Sequence, residues 1–368
     1  MDAGPVLQAR SASNWTSRAL AASPFGYGSR AFVYDSAVPG KALITGGAGF
    51  IGSHLTELLL AEGWEVYALD DLSTGSADNV EHLRDDARFH LVVDSVLSPT
   101  VVNELVYKVD VVYHLAAAVG PRLIVERPVH TIVTNLDGTE NVLDHCARFG
   151  KRVLLASTSE IYGDHRTEEP LREDARRVYG PTTQKRWLYA DSKAMDEYLA
   201  LAYRQERDLN FVIPRLFNTV GPRQSGQYGM VVARFVQAAV TGAPLEIHGD
   251  GNQTRTFCHV QDTIRALFGL MESDSTTGEI FNVGSRNWIS VLELAQRVLE
   301  LTGSTSELVY IPYDKVYGLG IDDMLHRVPA IEKIKGAIGW EPQRDLDQIL
   351  TDVIDWARRS PAAPIEAA

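Results

Sequence analysis

The 368-residue chain has only two cysteines, Cys146 and Cys258. That is too few for a disulfide framework, and their apolar or aromatic surroundings suit plain buried thiols in a reducing cytoplasm. No apolar run approaches the roughly 20 residues that a membrane-spanning helix needs. Basic residues are outnumbered, 35 Lys and Arg against 48 Asp and Glu, for a net charge of −13. Such a balance argues against nucleic acid or an anionic membrane as the main partner, so an anionic small ligand would need locally placed arginines. No internal repeat is visible. No metal-ligand spacing links His114, His248 and His326, which are read as structural, and no metal is expected.

What is present begins at Lys41. Residues 1–40 are rich in Ala, Ser and Gly, carry Arg10, Arg18 and Arg30, and show no clear period. They match no secretory signal and are expected to be a flexible extension without an assigned function. From Lys41 to Thr45 runs a short apolar strand. A helix follows through Leu55, Leu58, Leu59 and Leu60, stopping near Gly63, and then a second strand, Glu65 to Leu69. Further strands are predicted near 89–93, 109–115, 152–157 and 210–217, with helices between them such as Val133 to Phe149. This alternation implies an α/β fold with a doubly wound parallel sheet, whose sites lie at the carboxyl ends of the strands. From about 220 onward, turns such as Gly221-Pro222 and Gly249-Asp250-Gly251 separate shorter elements, as expected for a smaller lobe that closes over a substrate. The expected division is a Rossmann domain over 41–220, a substrate-binding lobe over most of 221–358 and a tail over 359–368.

Two motifs carry the chemistry. Gly46-Gly47-Ala48-Gly49-Phe50-Ile51-Gly52 follows a strand and opens a helix, and the next strand ends in Asp70. That context fits a dinucleotide site: Gly46, Gly49, Phe50, Ile51 and Gly52 would bring backbone close to a pyrophosphate resting on the helix N-terminus. Asp70 suits ribose hydroxyls and would repel a 2′-phosphate, and no arginine stands immediately after it, so NAD is expected rather than NADP. Asp94, after the third strand, is a candidate for contacting the adenine. The second motif is Tyr189-Ala190-Asp191-Ser192-Lys193. Residues four apart share one helix face, and a nearby ammonium favours the phenolate. Tyr189 could then take the proton of a sugar hydroxyl at a nicotinamide, with Lys193 holding the nicotinamide ribose and the Thr158 hydroxyl orienting the reacting oxygen.

With these motifs in place, residues 41–358 resemble the extended short-chain dehydrogenase/reductases that act as sugar-nucleotide epimerases, dehydratases and decarboxylases. The stretches His114-Leu115-Ala116-Ala117, Asn135–Thr139, Thr158–Gly163, Arg215-Leu216-Phe217-Asn218 and Gly221-Pro222-Arg223 carry the resemblance together with the two motifs. Within that family Thr158-Ser159-Glu160 resembles the UDP-glucuronate decarboxylases. Gly180-Pro181-Thr182 with Lys185-Arg186-Trp187-Leu188 resembles the segment before their catalytic tyrosine, and Asp323–Pro329 resembles a shared stretch ending in Arg-x-Pro.

The resemblance implies that Ser159, Glu160 and Arg327 act around the sugar carboxylate and the proton transfers after loss of CO2. It implies substrate contacts for Arg186, Asn218, Arg255 and Arg327, and a homodimer formed by the helix around 131–149 and the helix bearing Tyr189. Oxidising C4 of a glucuronate gives a β-keto acid, which loses CO2 readily. The products would be UDP-xylose if the hydride is returned and a UDP-4-keto-pentose otherwise. Gln227–Val232 instead resembles an epimerase substrate loop, with Met230 where an arginine is common in decarboxylases. A UDP-sugar 4-epimerase is therefore the alternative. A 4,6-dehydratase would want an aspartate where Ser159 stands.

Overall fold

The computed structural model describes residues 40–165, 169–226, 230–312, 315 and 327–359. Residues 1–39 and 360–368, Gln227 to Gly229 and Asp323 to His326, all invoked above, lie outside them. Short runs of branched aliphatic residues form the strands, and amphipathic stretches between them form the covering helices. In chain order these are β1 (Lys41–Thr45), α1 (Phe50–Ala61), β2 (Glu65–Asp70), β3 (Phe89–Val93), α2 (Pro99–Lys108) and β4 (Val111–His114). Then come α3 (Pro121–Glu126), α4 (Pro128–Phe149), β5 (Arg152–Leu155), β6 (Ser157–Thr158), α5 (Leu188–Arg207), β7 (Phe211–Leu216) and β8 (Thr219–Val220). The remainder is α6 (Val231–Thr241), β9 (Leu245–His248), β10 (Thr254–Thr256), β11 (Cys258–His259), α7 (Val260–Glu272) and β12 (Ile280–Val283). It closes with β13 (Trp288–Ser290), α8 (Val291–Thr302), β14 (Leu308–Ile311), α9 (Glu332–Ile338) and α10 (Leu346–Arg359).

The main sheet is wholly parallel, in the order β3-β2-β1-β4-β5-β7-β12, with β6 continuing beside β7. It is the doubly wound α/β fold that the sequence predicts. The register levels the strand ends: Thr45 pairs with Leu69 and with His114, and His114 pairs with Leu155. Helices α1 and α7 pack an apolar layer on one face, and α2, α4 and α5 pack one on the other. A third apolar cluster joins α6, α8 and α10 around β9, and the parallel pair β9–β14 runs beside it.

Three details differ from the sequence expectation. Helix α4 begins at Pro128 rather than Val133, because proline at the first helical position loses no hydrogen bond. Its end near Phe149 is closed by Gly150 in the left-handed region. The strand expected over 152–157 is two strands, β5 and β6, separated at Ala156. Residue 220 does not mark a break in the sheet: β12 pairs with β7, and α7 packs against α1. Residues after 220 thus contribute both to the main sheet and to the cluster of α6, α8 and α10. Among the described residues, no helix is long and apolar enough to cross a membrane.

A buried charged cluster pins α5 to the sheet. Both carboxylate oxygens of Glu197 accept from Arg215 on β7, at 3.0 and 2.8 Å, and Ser157 Oγ donates to Oε1 at 2.6 Å. Arg215 Nη1 reaches the Tyr162 hydroxyl at 2.9 Å, which in turn donates to Asn282 Oδ1 on β12 at 2.6 Å. Glu197→Ala would strand a buried guanidinium, so we expect a loss of about 3–5 kcal/mol in unfolding free energy. Urea denaturation measures it, and a loss below about 1 kcal/mol, the scale of an exposed pair, would contradict this account of the cluster.

Candidate active site

The glycine-rich turn sits between β1 and α1 as the sequence requires. Gly46 has φ of 72°, a region that side chains disfavour, and its N–H donates to Leu69 O at 2.7 Å. A Cβ on Gly52 would come within 2.0 Å of Gly46 O, so the helix can start against the turn only with glycine there. The first turn of α1 has no side-chain cap and no acidic residue, which leaves its N–H groups and dipole open to an anion. Asp70, buried at the end of β2, accepts from Ala48 N at 3.0 Å and Leu72 N at 2.9 Å. Burial raises its carboxyl above the ordinary range, and those backbone donors oppose the shift. Asp94 follows β3 and accepts from Ser95 N at 2.7 Å.

Gly46, Gly49, Phe50, Ile51, Gly52, Asp70 and Asp94 line one cavity of about 600 Å³ that continues across the ends of β5 to β8. Thr158, Ser159, Glu160, Tyr189, Lys193, Asn218, Arg255 and Arg327 line it too. The chain thus brings together residues from 46 to 327 that the sequence reading had joined only by motif. Thr158 ends β6, and its hydroxyl accepts from Glu160 N at 3.2 Å, which fixes the turn that carries Ser159 and Glu160. The same hydroxyl bonds the Tyr189 phenol. Burial raises that phenol well above its ordinary range; the charges of Glu160 and Asp196 push the same way, and Thr158 and Arg327 oppose them.

Arg327 and Glu160 form an ion pair through Nη1 and Oε1, with Arg327 5% exposed. Arg327 Nη2 also donates to Asn218 Oδ1 at 3.2 Å, and Asn218 Nδ2 donates to Thr256 O at 2.8 Å. Asn218 takes φ of 32° at the turn after β7. A guanidinium, a carboxylate and two hydroxyl-bearing side chains therefore converge on one wall of the cavity. Such a wall can hold a substrate carboxylate and exchange protons with the carbon next to it.

His114 is buried between Thr45 Oγ1, at 2.7 Å, and Thr139 Oγ1, at 3.1 Å, and burial pushes it down to about 3, so it is a neutral structural group. His248 lines the cavity, and His326 lies outside the described residues. Arg186 falls in a short 3-10 turn, Lys185–Trp187, but its side chain lies outside what is described. Its neighbour Lys185 lines the cavity instead, as do Arg234 and Gln253. Sequence reasoning missed these three. Lys185 sits inside a stretch already singled out and Gln253 lies two residues before Arg255, whereas nothing in the sequence of α6 marks Arg234. Met230 and Val231, at the start of α6, also line the cavity.

The model of the NAD dependent epimerase/dehydratase family matches residues 42–284. The chain belongs to that family. This extended short-chain dehydrogenase/reductase is 40% identical over 319 residues to the UDP-N-acetyl-alpha-D-glucosaminuronate decarboxylase of Bacillus cytotoxicus, covering 86% of this chain and 98% of that one. It is 37% identical over 319 residues to UDP-glucuronic acid decarboxylase 1 of Danio rerio, covering 87% and 73%. Among solved structures it is similar to the UDP-glucuronic acid 4-epimerase of Bacillus cereus in complex with UDP-glucuronic acid and NAD. That match has a TM-score of 0.78 and 27% identity, over 87% of this chain and 99% of that one. NAD is the family's cofactor, and the open helix start, the Gly46–Gly52 contact and Asp70 fit it.

Removing the Asp70 carboxylate tests that fit. Asp70→Ala is expected to lose about 1.5–3 kcal/mol of NAD binding, roughly a tenfold to hundredfold weaker Kd. Calorimetric titration of NAD measures it, and an unchanged Kd would remove Asp70 from the site.

Proposed function

We propose that the chain is a UDP-glucuronate decarboxylase, which oxidises C4 of the bound sugar and releases C6 as CO2. The observation that carries this reading is the buried Arg327–Glu160 pair on the same cavity wall as Thr158 and Tyr189. A catalyst that only inverts C4 needs no proton donor beside C5, which is the role this reading gives to Glu160. The relatives at 36–40% identity are named decarboxylases, whereas the epimerase structures stand at 26–29%.

In this reading Tyr189 takes the proton of the C4 hydroxyl, and Thr158 orients that oxygen. Bound NAD supplies the acceptor for the C4 hydride and, if the cycle closes, returns it. Gly46, Gly49, Phe50, Ile51, Gly52, Asp70 and Asp94 would hold the cofactor, with Tyr189 and Lys193 at its reactive end. The C6 carboxylate, now β to a ketone, departs as CO2 and leaves its electrons on the C4 oxygen. The Thr158 hydroxyl and the protonated Tyr189 donate to that developing oxyanion. Arg327 steers the carboxylate, Ser159 adds a hydroxyl, and Glu160 returns a proton to C5. Asn218, Arg255 and Arg186 are assigned to the rest of the UDP-sugar.

A second substrate reading has its own support. The Bacillus cytotoxicus relative, matched over 98% of its length, is named for the 2-acetamido hexuronate, so that sugar nucleotide is the first to compare with UDP-glucuronate. NAD and the catalytic Tyr189 and Lys193 are assigned to 41–220, and most of the remaining substrate binding to 221–358. A homodimer is proposed through α4 and α5, which expose Val129, Ile132, Val133, Met195, Tyr198 and Leu201. A reducing cytoplasm suits the two free buried cysteines.

Mass spectrometry of products from each UDP-hexuronate is expected to show loss of one CO2. Unchanged mass with inversion at C4 would make the protein an epimerase. Tyr189→Phe is expected to lower kcat by about 10²–10⁴-fold with substrate binding retained. Because burial holds the phenol protonated, kcat should rise with pH as that proton is lost. A profile that falls as pH rises from about 6 to about 8 would remove Tyr189 as the base.

A further inference from the structure

We propose that Asp196 is the fixed counter-charge of Lys193, a positioning residue that holds that ammonium beside Tyr189 and keeps it charged in a dry wall of the cavity. This rests on the reading of Tyr189 and Lys193 given above. Asp196 is fully buried on α5, and its Oδ2 accepts from Lys193 Nζ at 2.7 Å. Lys193 itself is 2% exposed. Taking a carboxylate and an ammonium wholly out of water is costly, so a pair retained there calls for a reason.

Anchoring α5 is not that reason, because the next residue, Glu197, already ties the helix to β6 and β7 through Ser157 and Arg215. Asp196 Oδ1 has no hydrogen-bond partner among the described residues, which leaves Lys193 as the main compensation for this charge. Burial raises the Asp196 carboxyl, while Lys193 and the Thr139 hydroxyl on α4 favour its charged form. Thr139 is in turn fixed by His114 Nε2, and His114 by Thr45, so the carboxylate is braced from the sheet.

The geometry separates two tasks. An ammonium has three N–H donors; Asp196 takes one and leaves two for whatever occupies the cavity that Lys193 lines. The other charged and titratable groups facing the pair are already committed. His114, at the end of β4, is neutral, Glu197 on α5 is spent on Arg215, and Glu160 and Arg327 pair with each other near Tyr189. No other buried carboxylate is thus left to support Lys193 among these neighbours.

Asp196→Asn keeps the shape and a hydrogen-bond acceptor but removes the charge. A buried ammonium without a counter-charge gives up its proton more readily. The side chain of Lys193 is followed by lysine-selective carbon and nitrogen NMR of the ligand-free full chain, with the signal assigned by its absence in Lys193→Met. The expected result is titration of the Lys193 signal at a pH lower by about one unit or more in the variant. Turnover of UDP-glucuronate should then acquire a descending alkaline limb that the unaltered protein lacks. Thr139→Val, which removes one support of the carboxylate, should shift the signal the same way by less, and it decides the question if Asp196→Asn does not fold. An unchanged Lys193 titration in a folded variant, with only a lower Tm, would reduce Asp196 to a structural residue and overturn the proposal. The NMR result needs no sugar turnover, so its failure is distinct from failure of the decarboxylase reading.

Discussion

Everything at the site depends on one constraint: α5 buries three charged side chains within little more than one turn, Lys193, Asp196 and Glu197, and each must be neutralised by a partner. Glu197 is met by Arg215 from β7, and Lys193 by Asp196 on the same helix. Each pair costs desolvation and is worth keeping only if its geometry is good. The first makes α5 a fixed part of the sheet, since Arg215 also reaches Tyr162 and, through it, Asn282 on β12. The second sets a charged lysine four residues from Tyr189 on a helix that cannot shift. A phenol raised by burial needs such a neighbour if it is to release a proton near neutral pH.

Around that helix the level ends of β1, β2, β4 and β5 line the part of the cavity proposed for the cofactor, and the turns after β6 and β7 line the part proposed for the sugar. The sugar side is polar by pairing rather than by exposure. Thr158 caps the turn that presents Glu160, Glu160 meets Arg327, and Arg327 meets Asn218. A substrate carboxylate entering this wall would compete with Glu160 for one guanidinium. In the mechanism proposed above, that competition would free Glu160 from its ion pair for the proton transfer at C5.

The local layers of this arrangement were legible in the sequence, and the long-range ones were legible only by resemblance. Lys41–Thr45, the glycines and Asp70 announce a βαβ unit because the strand period, the turn chemistry and the spacing all agree. Strand β12 does not announce itself: Ile280–Val283 is four residues long, and its place in the sheet is set by pairing with β7 rather than by local pattern. The Asp196–Lys193 pair reads, in sequence, like an ordinary solvent-facing i,i+3 pair; only burial on both sides makes it different. Glu160 and Arg327 lie 167 residues apart, and no period connects them. Proline at the first position of α4 moved a helix start that apolar spacing alone placed five residues later.

The most direct test of the account is a crystal structure of the Tyr189→Phe protein with NAD and UDP-glucuronate bound. The account predicts the C6 carboxylate on the Arg327 guanidinium, next to Glu160, with the C4 hydroxyl facing Thr158 and residue 189. If Arg327 instead grips the diphosphate and the C6 carboxylate points away from Glu160, the wall is a nucleotide-binding device and the decarboxylation chemistry assigned to it is wrong.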